Sequence, residues 1–221
     1  MTNTRTSKNT KKTLTSGKIT NLAADCEEIN IRGAVALHQE VHVRKISTHG
    51  HSSFHARVKA DIFRNTGACT IKDLCEITEL SNAGQLKLYH GKITKINSSG
   101  KLTVEQHLQV KQFEGIGIVK AREIMSDQFY LKLSGRSEID QLIADDICIE
   151  KDKLSISLFN KKMISKNIKG KHIRLSYTNA EIVEGDVVVI GDYCTIHTLY
   201  YTESYSLSPT AKVQHIRRKE Q

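Results

Sequence analysis

In GAVALHQEVHVRKISTHGHSSFHARVKADIFRNTGACTIKDLCEITELSNAG, residues 33–84, a glycine returns every 17 residues. Gly33, Gly50, Gly67 and Gly84 open segments whose apolar residues stand at the same distances from the glycine. Counting +2, +4, +8, +10 and +13 gives Val35, Leu37, Val41, Val43 and Ile46 after Gly33, and Ser52, Phe54, Val58, Ala60 and Phe63 after Gly50. After Gly67 the same count gives Cys69, Ile71, Cys75, Ile77 and Leu80. After Gly100 it gives Leu102, Val104, Leu108, Val110 and Phe113. The segment from Gly84 has Leu86 and Leu88 in place, then Gly91, Ile93 and Ile96 one position early, as a single deletion near Gly91 would produce. Of these 25 positions 23 are apolar, where the chain's 38% apolar content would place about 10 by chance.

Outward from this stretch the glycines continue. Gly17, Gly33, Gly50, Gly67, Gly84, Gly100, Gly117 and Gly135 are separated by 16, 17, 17, 17, 16, 17 and 18 residues. A fixed period of this length marks a solenoid in which each repeat is one turn. Two helices and a connection do not fit in so short a repeat, whereas the period of two within +2/+4 and +8/+10 is strand alternation. The sequence therefore predicts an all-β, single-stranded β-helix of about 17 residues per coil, with three short parallel strands per coil around a narrow apolar axis. Glycine is expected at a corner of each coil because it accepts a positive φ without a Cβ clash.

The chain has 221 residues, one proline, no tryptophan and a net charge of +9. That charge first suggests nucleic acid, but its distribution argues otherwise. Residues 1–12 carry +4 (Arg5, Lys8, Lys11 and Lys12) and residues 212–221 carry +3, which leaves +2 for the 199 residues between. The expected organisation is a disordered basic tail over 1–12, a β-helix domain over 13–211 and a second basic tail over 212–221. Gly17 opens an imperfect first coil with Ile19, Leu22, Cys26 and Ile29. A looser coil follows Gly117, with Val119, Ala121, Ile124, Met125, Phe129 and Leu131, and another follows Gly135. The rhythm breaks over 151–172. There Leu154, Ile156 and Leu158 alternate as a strand, and Lys161, Lys162, Lys166, Lys169 and Lys171 predict a lysine-rich surface loop or hairpin near 159–171. The inward pattern resumes with Ile173 and Leu175, Val187 and Val189, then Cys194, Ile196, Leu199 and Tyr201.

Few residues offer chemistry. Cys26, Cys69, Cys75, Cys148 and Cys194 form no C-x-x-C, and two of them occupy inward positions, so they read as small core residues in a reducing compartment. His38 and His55 share offset +5 and should sit one strand spacing apart on an outward face. No carboxylate or cysteine stands at the matching offset, so a polar surface ladder is the better account than a metal site. No hydrolase, zinc-protease, Walker-type or dinucleotide motif occurs. A hexapeptide-type acyltransferase needs units of six, and only Ile190–Gly191 through Ile196 resembles one. No leader opens the chain and no 18-residue apolar run crosses it, which predicts a cytoplasmic protein.

The closing stretch IKGKHIRLSYTNAEIVEGDVVVIGDYCTIHTLYYTESYSLSPTAKV, residues 168–213, resembles the C-terminal block of the longer bactofilins of Gram-positive bacilli. The matching elements are Leu175-Ser176-Tyr177-Thr178, Ala180, Val183, Gly185, Val187, Ile190-Gly191, Cys194, Ile196 and Tyr201. The resemblance covers about residues 14–213. It implies a right-handed triangular β-helix that self-assembles end to end without nucleotide or cofactor. It implies a cytoskeletal scaffold for envelope, cell-shape or motility machinery, with no catalytic residues. The expected partners are further copies of the chain, a related bactofilin, envelope or motility proteins, and the inner face of the cell membrane, with no nucleic acid. Ile19, Leu22, Tyr201, Tyr205 and Leu207 are the candidate polymer contacts, and Arg5, Lys8, Lys11 and Lys12 the candidate contacts to anionic lipid or an acidic partner. The alternative from another class is a monomeric β-helix that serves as a binding platform.

Overall fold

The computed structural model describes residues 10–22, 25–153 and 161–220. Among them there is no helix, and 13 strands form one sheet in which every pairing is parallel. In chain order these are β1 (Thr10–Ile19), β2 (Cys26–Leu37), β3 (Val41–Thr48), β4 (His51–Phe54), β5 (Val58–Asn65), β6 (Ala68–Asn82) and β7 (Gln85–Ser98). They continue with β8 (Lys101–Leu133), β9 (Arg136–Lys151), β10 (Lys162–Leu175), β11 (Thr178–Ile190), β12 (Thr195–Leu207) and β13 (Lys212–Arg218). The result is a β-solenoid of about 12 turns, with partner residues about 17 apart. At 4.8 Å per turn the rod is roughly 55–60 Å long.

All 25 positions read as inward are buried. Val104 and Val110 are 2% exposed and Leu108 is 0% exposed. The short coil is confirmed as well. Ile71 pairs with Leu88 and Leu74 with His90, so the register slips by one between them. Gly91 then replaces an apolar side chain on the axis, where a Cβ would stand 2.8 Å from Leu108 Cδ1.

The repeat glycines serve a different purpose from the one expected. Only Gly17 has a positive φ, at 105°. Gly33, Gly50, Gly67, Gly84, Gly100 and Gly117 are required because successive turns touch through backbone there, whereas a Cβ at Gly135 would meet only the Ile118 side chain. A Cβ at Gly67 would lie 2.1 Å from the Gly50 carbonyl oxygen, at Gly84 2.1 Å from that of Gly67, and at Gly100 2.1 Å from that of Gly84. Those carbonyls accept hydrogen bonds from the next turn: Ala68 N–H donates to Gly50 O, Gln85 N–H to Gly67 O and Lys101 N–H to Gly84 O, each at 2.9 Å. Neighbouring glycines thus stack directly, and no side chain fits between them.

Three stretches depart from the sequence reading. Residues 162–171, expected in a loop or hairpin near 159–171, belong to β10 and pair in register with β9 and β11. Met163, Ser165, Ile168, Ile173 and Leu175 point inward, and the lysines point out to acids on neighbouring turns: Lys166 to Asp140 (3.2 Å), Lys169 to Glu184 (3.1 Å) and Lys171 to Asp145 (3.1 Å). The insertion is real but lies earlier. Ser137 and Met163 are partners 26 positions apart, so the extra length falls between Lys151 and Lys161. Leu154, Ile156 and Leu158 lie outside the described residues. Secondly, the C-terminal tail over 212–221 is largely a strand: Lys212–Arg218 forms β13 on β12. Likewise Thr10–Lys12, assigned to the N-terminal tail, opens β1. Thirdly, Val188 and Ile190 are buried where Val187 and Val189 were expected. The step from Gly185 to Val188 turns a corner, and a one-residue slip in a strand exchanges its faces. Met125, expected inward, is 38% exposed beside the buried Ile124.

Leu108→Ala should destabilise the protein by about 2–5 kcal/mol through the cavity it leaves. Gly67→Ala removes no core volume, yet it should lower the denaturation midpoint at least as far because the clash is with backbone. Urea titration followed by circular dichroism checks both.

Candidate assembly surfaces

At the two ends of the rod the terminal strands β1 and β13 have a single neighbour each among the described strands. At the N-terminal end β1 is bonded to β2 alone among the described strands. Its residues head the axial columns: Lys12 pairs with Ile29, Leu14 with Ile31, Gly17 with Val35 and Ile19 with Leu37. Leu14 is buried, while Ile19 and Leu22 are half-buried and packed on the core. The Leu22 N–H donates to Gln39 Oε1 at 2.8 Å. Lys11 is exposed, but Lys12 is half-buried and stands in an inward column, so it is not part of a free basic tail. Arg5 and Lys8 lie outside the described residues.

At the other end β13 covers only the first half of β12. Thr195–Tyr201 pairs with Lys212–Arg218, whereas Ser204–Leu207 pairs with Val187–Ile190 below and with no described strand above. Tyr205 and Leu207 occupy inward columns over Val188 and Ile190, yet they are 42% and 40% exposed because the next turn stops short of them. Ile216 on β13, the partner of Leu199, is 38% exposed at the same end. Tyr201 is half-buried, its ring centroid 4.7 Å from that of Tyr205. Pro209 lies in the turn that leads from β12 into β13.

The last turn is held by charge as well as by backbone. Glu184 on β11 sits between Lys169 Nζ at 3.1 Å and Lys219 Nζ at 2.7 Å. The hydrogen bond from Lys219 is the largest influence on the Glu184 carboxyl; burial opposes it, and the hydrogen bond and charge of Lys169 add to Lys219 to hold the carboxyl below the usual range. Lys219 also lies over the Tyr200 ring at 4.9 Å, and Arg218 Nε donates to Thr202 O at 3.1 Å.

The other candidate groups do not converge on a reactive site. The His38 and His55 rings stack with centroids 4.1 Å apart, on adjacent turns as the repeat requires. Burial lowers the His55 pKa, aided by Lys72, His38 and Lys18. Among the described residues no group of three or more His, Cys, Asp or Glu is placed to hold a metal ion. No described helix is long and apolar enough to cross a membrane. All five cysteines are free. Burial pushes Cys69 and Cys75 up to about 12, far from thiolate reactivity.

One feature of the interior escaped the apolar count. Thr48, Asn65 and Asn82, at +15 from Gly33, Gly50 and Gly67, and Ser98, at +14 from Gly84 in the short turn, are all buried and all in one column. Thr48 Oγ1 donates to Asn65 Oδ1 at 2.7 Å, Asn65 Nδ2 to Asn82 Oδ1 at 2.8 Å, and Asn82 Nδ2 to Ser98 Oγ at 3.0 Å. Asn65 also bonds Gly67 O at 3.1 Å, which ties this ladder to the glycine corner. The signal was present as a polar residue two places before each glycine, but a search for apolar periodicity passes over it. No family model, characterised protein or solved structure matches the chain.

Because the folded Glu184 pKa lies below the unfolded one, its contacts stabilise at neutral pH and are lost as pH falls through the folded value. Glu184→Gln should therefore raise hydrogen exchange in Lys212–Arg218 at neutral pH while Ala68–Asn82 stays protected. Acidifying the wild type should reproduce the pattern after correction for intrinsic exchange rates.

Proposed function

We propose that the chain is a structural, polymer-forming protein of the bactofilin type, which joins end to end through its terminal turns without nucleotide. The observation that supports this reading is the pair of unfinished ends. Among the described strands each end presents backbone N–H and C=O groups without a neighbour, beside apolar side chains: Ile19, which heads an axial column, and Leu22 at one end, and Tyr205 and Leu207, which close two columns, at the other. Such edges template pairing with another chain. A rod end offers what the interior already uses, since parallel turns bury apolar columns and bond along the axis. In this reading the filament is a cytoplasmic scaffold for envelope, cell-shape or motility machinery, and basic residues near the ends contact an anionic membrane face or an acidic partner.

A monomeric binding platform is the competing reading, and one observation favours it. Lys11, Lys18 and Lys212 are exposed on the two terminal strands, and edge lysines are a common device against strand addition.

Wild-type protein should sediment as polymers, and electron microscopy should show filaments, with or without added nucleotide. Replacing Ile19 and Leu22, or Tyr205 and Leu207, with lysine should preserve the β circular-dichroism signal and yield monomers. Wild-type protein that stays monomeric at high concentration overturns the polymer reading and leaves the platform.

A further inference from the structure

We infer that one side of the rod binds an extended acidic segment of a partner protein. That side is built from the outward positions just after each glycine corner, over the N-terminal half of the solenoid. It does not involve the ends, so the inference holds whether the ends join or stay free.

The register sets out its shape. One outward column runs Lys18, Ala36, Ser53, Thr70 and Lys87 on successive turns. Its three middle side chains are short, and a lysine closes it at each end. Four steps of 4.8 Å separate those lysines, about 19 Å in all. The neighbouring column runs Ala34, His51, Ala68, Gln85 and Lys101. Between them they line most of an open trough of about 640 Å³. Along one edge, where the chain turns its next corner, His38, His55 and Lys72 follow one another. Burial lowers the His55 pKa first, and Lys72, His38 and Lys18 lower it further, which places these cations around one edge of the trough.

The charge on this side is almost all of one sign. Residues 16–20, 34–38, 51–55, 68–72, 85–89 and 101–105 hold four lysines and three histidines against a single carboxylate, Glu105. Glu105 is paired with Lys87 at 2.6 Å. Lys18, Lys72 and Lys101 are exposed and form no ion pair among the described residues. The side at +12 to +14 of the same turns is balanced, with Lys45, Arg64 and Lys95 against Glu28, Glu79 and Glu114. The 199 residues between the basic termini carry only +2 in all, so the +3 of this one side is a local concentration.

The shape selects among anionic partners. Long lysine side chains stand around a floor of alanine, serine and threonine that lies below their tips. A bilayer surface would meet the rim and leave the floor empty. A single-stranded nucleic acid needs aromatic rings on which its bases stack, and the floor has none. An extended peptide fits both features: its backbone and small side chains reach the floor, and its carboxylates reach the lysines. At about 3.3 Å per residue, roughly six residues span the distance from Lys18 to Lys87.

The test uses full-length protein and a short fluorescein-labelled peptide of alternating glutamate and alanine, read by fluorescence anisotropy, with alternating glutamine and alanine as the neutral control. The acidic peptide should bind at low salt, more weakly as salt rises, and the neutral one should not bind. The double variant Lys72→Glu/Lys101→Glu should weaken binding about tenfold or more. Thr70→Phe fills the floor without altering a charge, is compatible with a strand, and should weaken binding as well. Lys92→Glu/Lys111→Glu, on another side of the rod, should leave it unchanged. Failure of the acidic peptide to bind, or equal binding by the Lys72→Glu/Lys101→Glu variant, overturns the proposal. So does binding that Thr70→Phe leaves intact, because the trough is then empty. Phosphatidylglycerol vesicles or oligothymidylate that bind where the peptide does not would replace the acidic segment with a lipid surface or a nucleic acid. Sedimentation of the same preparations reports separately on the polymer reading.

Discussion

The contact of one repeat glycine with the next sets the geometry of the rod. At Gly50, Gly67, Gly84 and Gly100 the backbone of one turn lies against that of the turn before, and a single methyl group would fill the space. This close approach fixes the length of each turn at the corner. Once the corners are aligned, every other position is carried onto its equivalent, and five apolar columns form together with a sixth that is polar from Thr48 to Ser98. Turns that differ by a residue are absorbed away from the glycine, as the slip between Ile71 and Leu74 shows.

The columns explain why a thin rod can be stable with few aromatic residues and no disulfide. Each buried side chain packs on its equivalents above and below, so a turn depends chiefly on its two neighbours. The Thr48–Ser98 ladder adds hydrogen bonds along the same direction and satisfies amides that would otherwise be costly to bury. Outward pairs such as Arg57–Glu76 (2.7 Å) and Lys87–Glu105 (2.6 Å) also link adjacent turns, but exposed pairs of this kind contribute little each. The weak points are the two terminal turns, which among the described residues have a neighbour on one side only. The site proposed for assembly is therefore a consequence of the fold: the interaction that stabilises the interior is the one left incomplete at the ends.

What the sequence by itself determined was the repeat. The glycine spacing and the alternating apolar residues of 33–113 specified strand, turn length and core positions, because each of those depends on local periodicity. Three matters were decided only by the tertiary structure. The lysines of 162–171 look like a solvated run in one dimension, yet partners on neighbouring turns make them the outer face of a strand. The basic residues of 212–218 have weak apolar patterning, yet the open edge of β12 supplies the hydrogen bonds that make them one. The glycines and the buried Thr, Asn and Ser recur visibly along the chain, yet their purpose is not legible locally, since what they require is backbone or an amide one turn away. A pattern along the chain reports which side a residue faces; only the stacking of turns decides what it meets there.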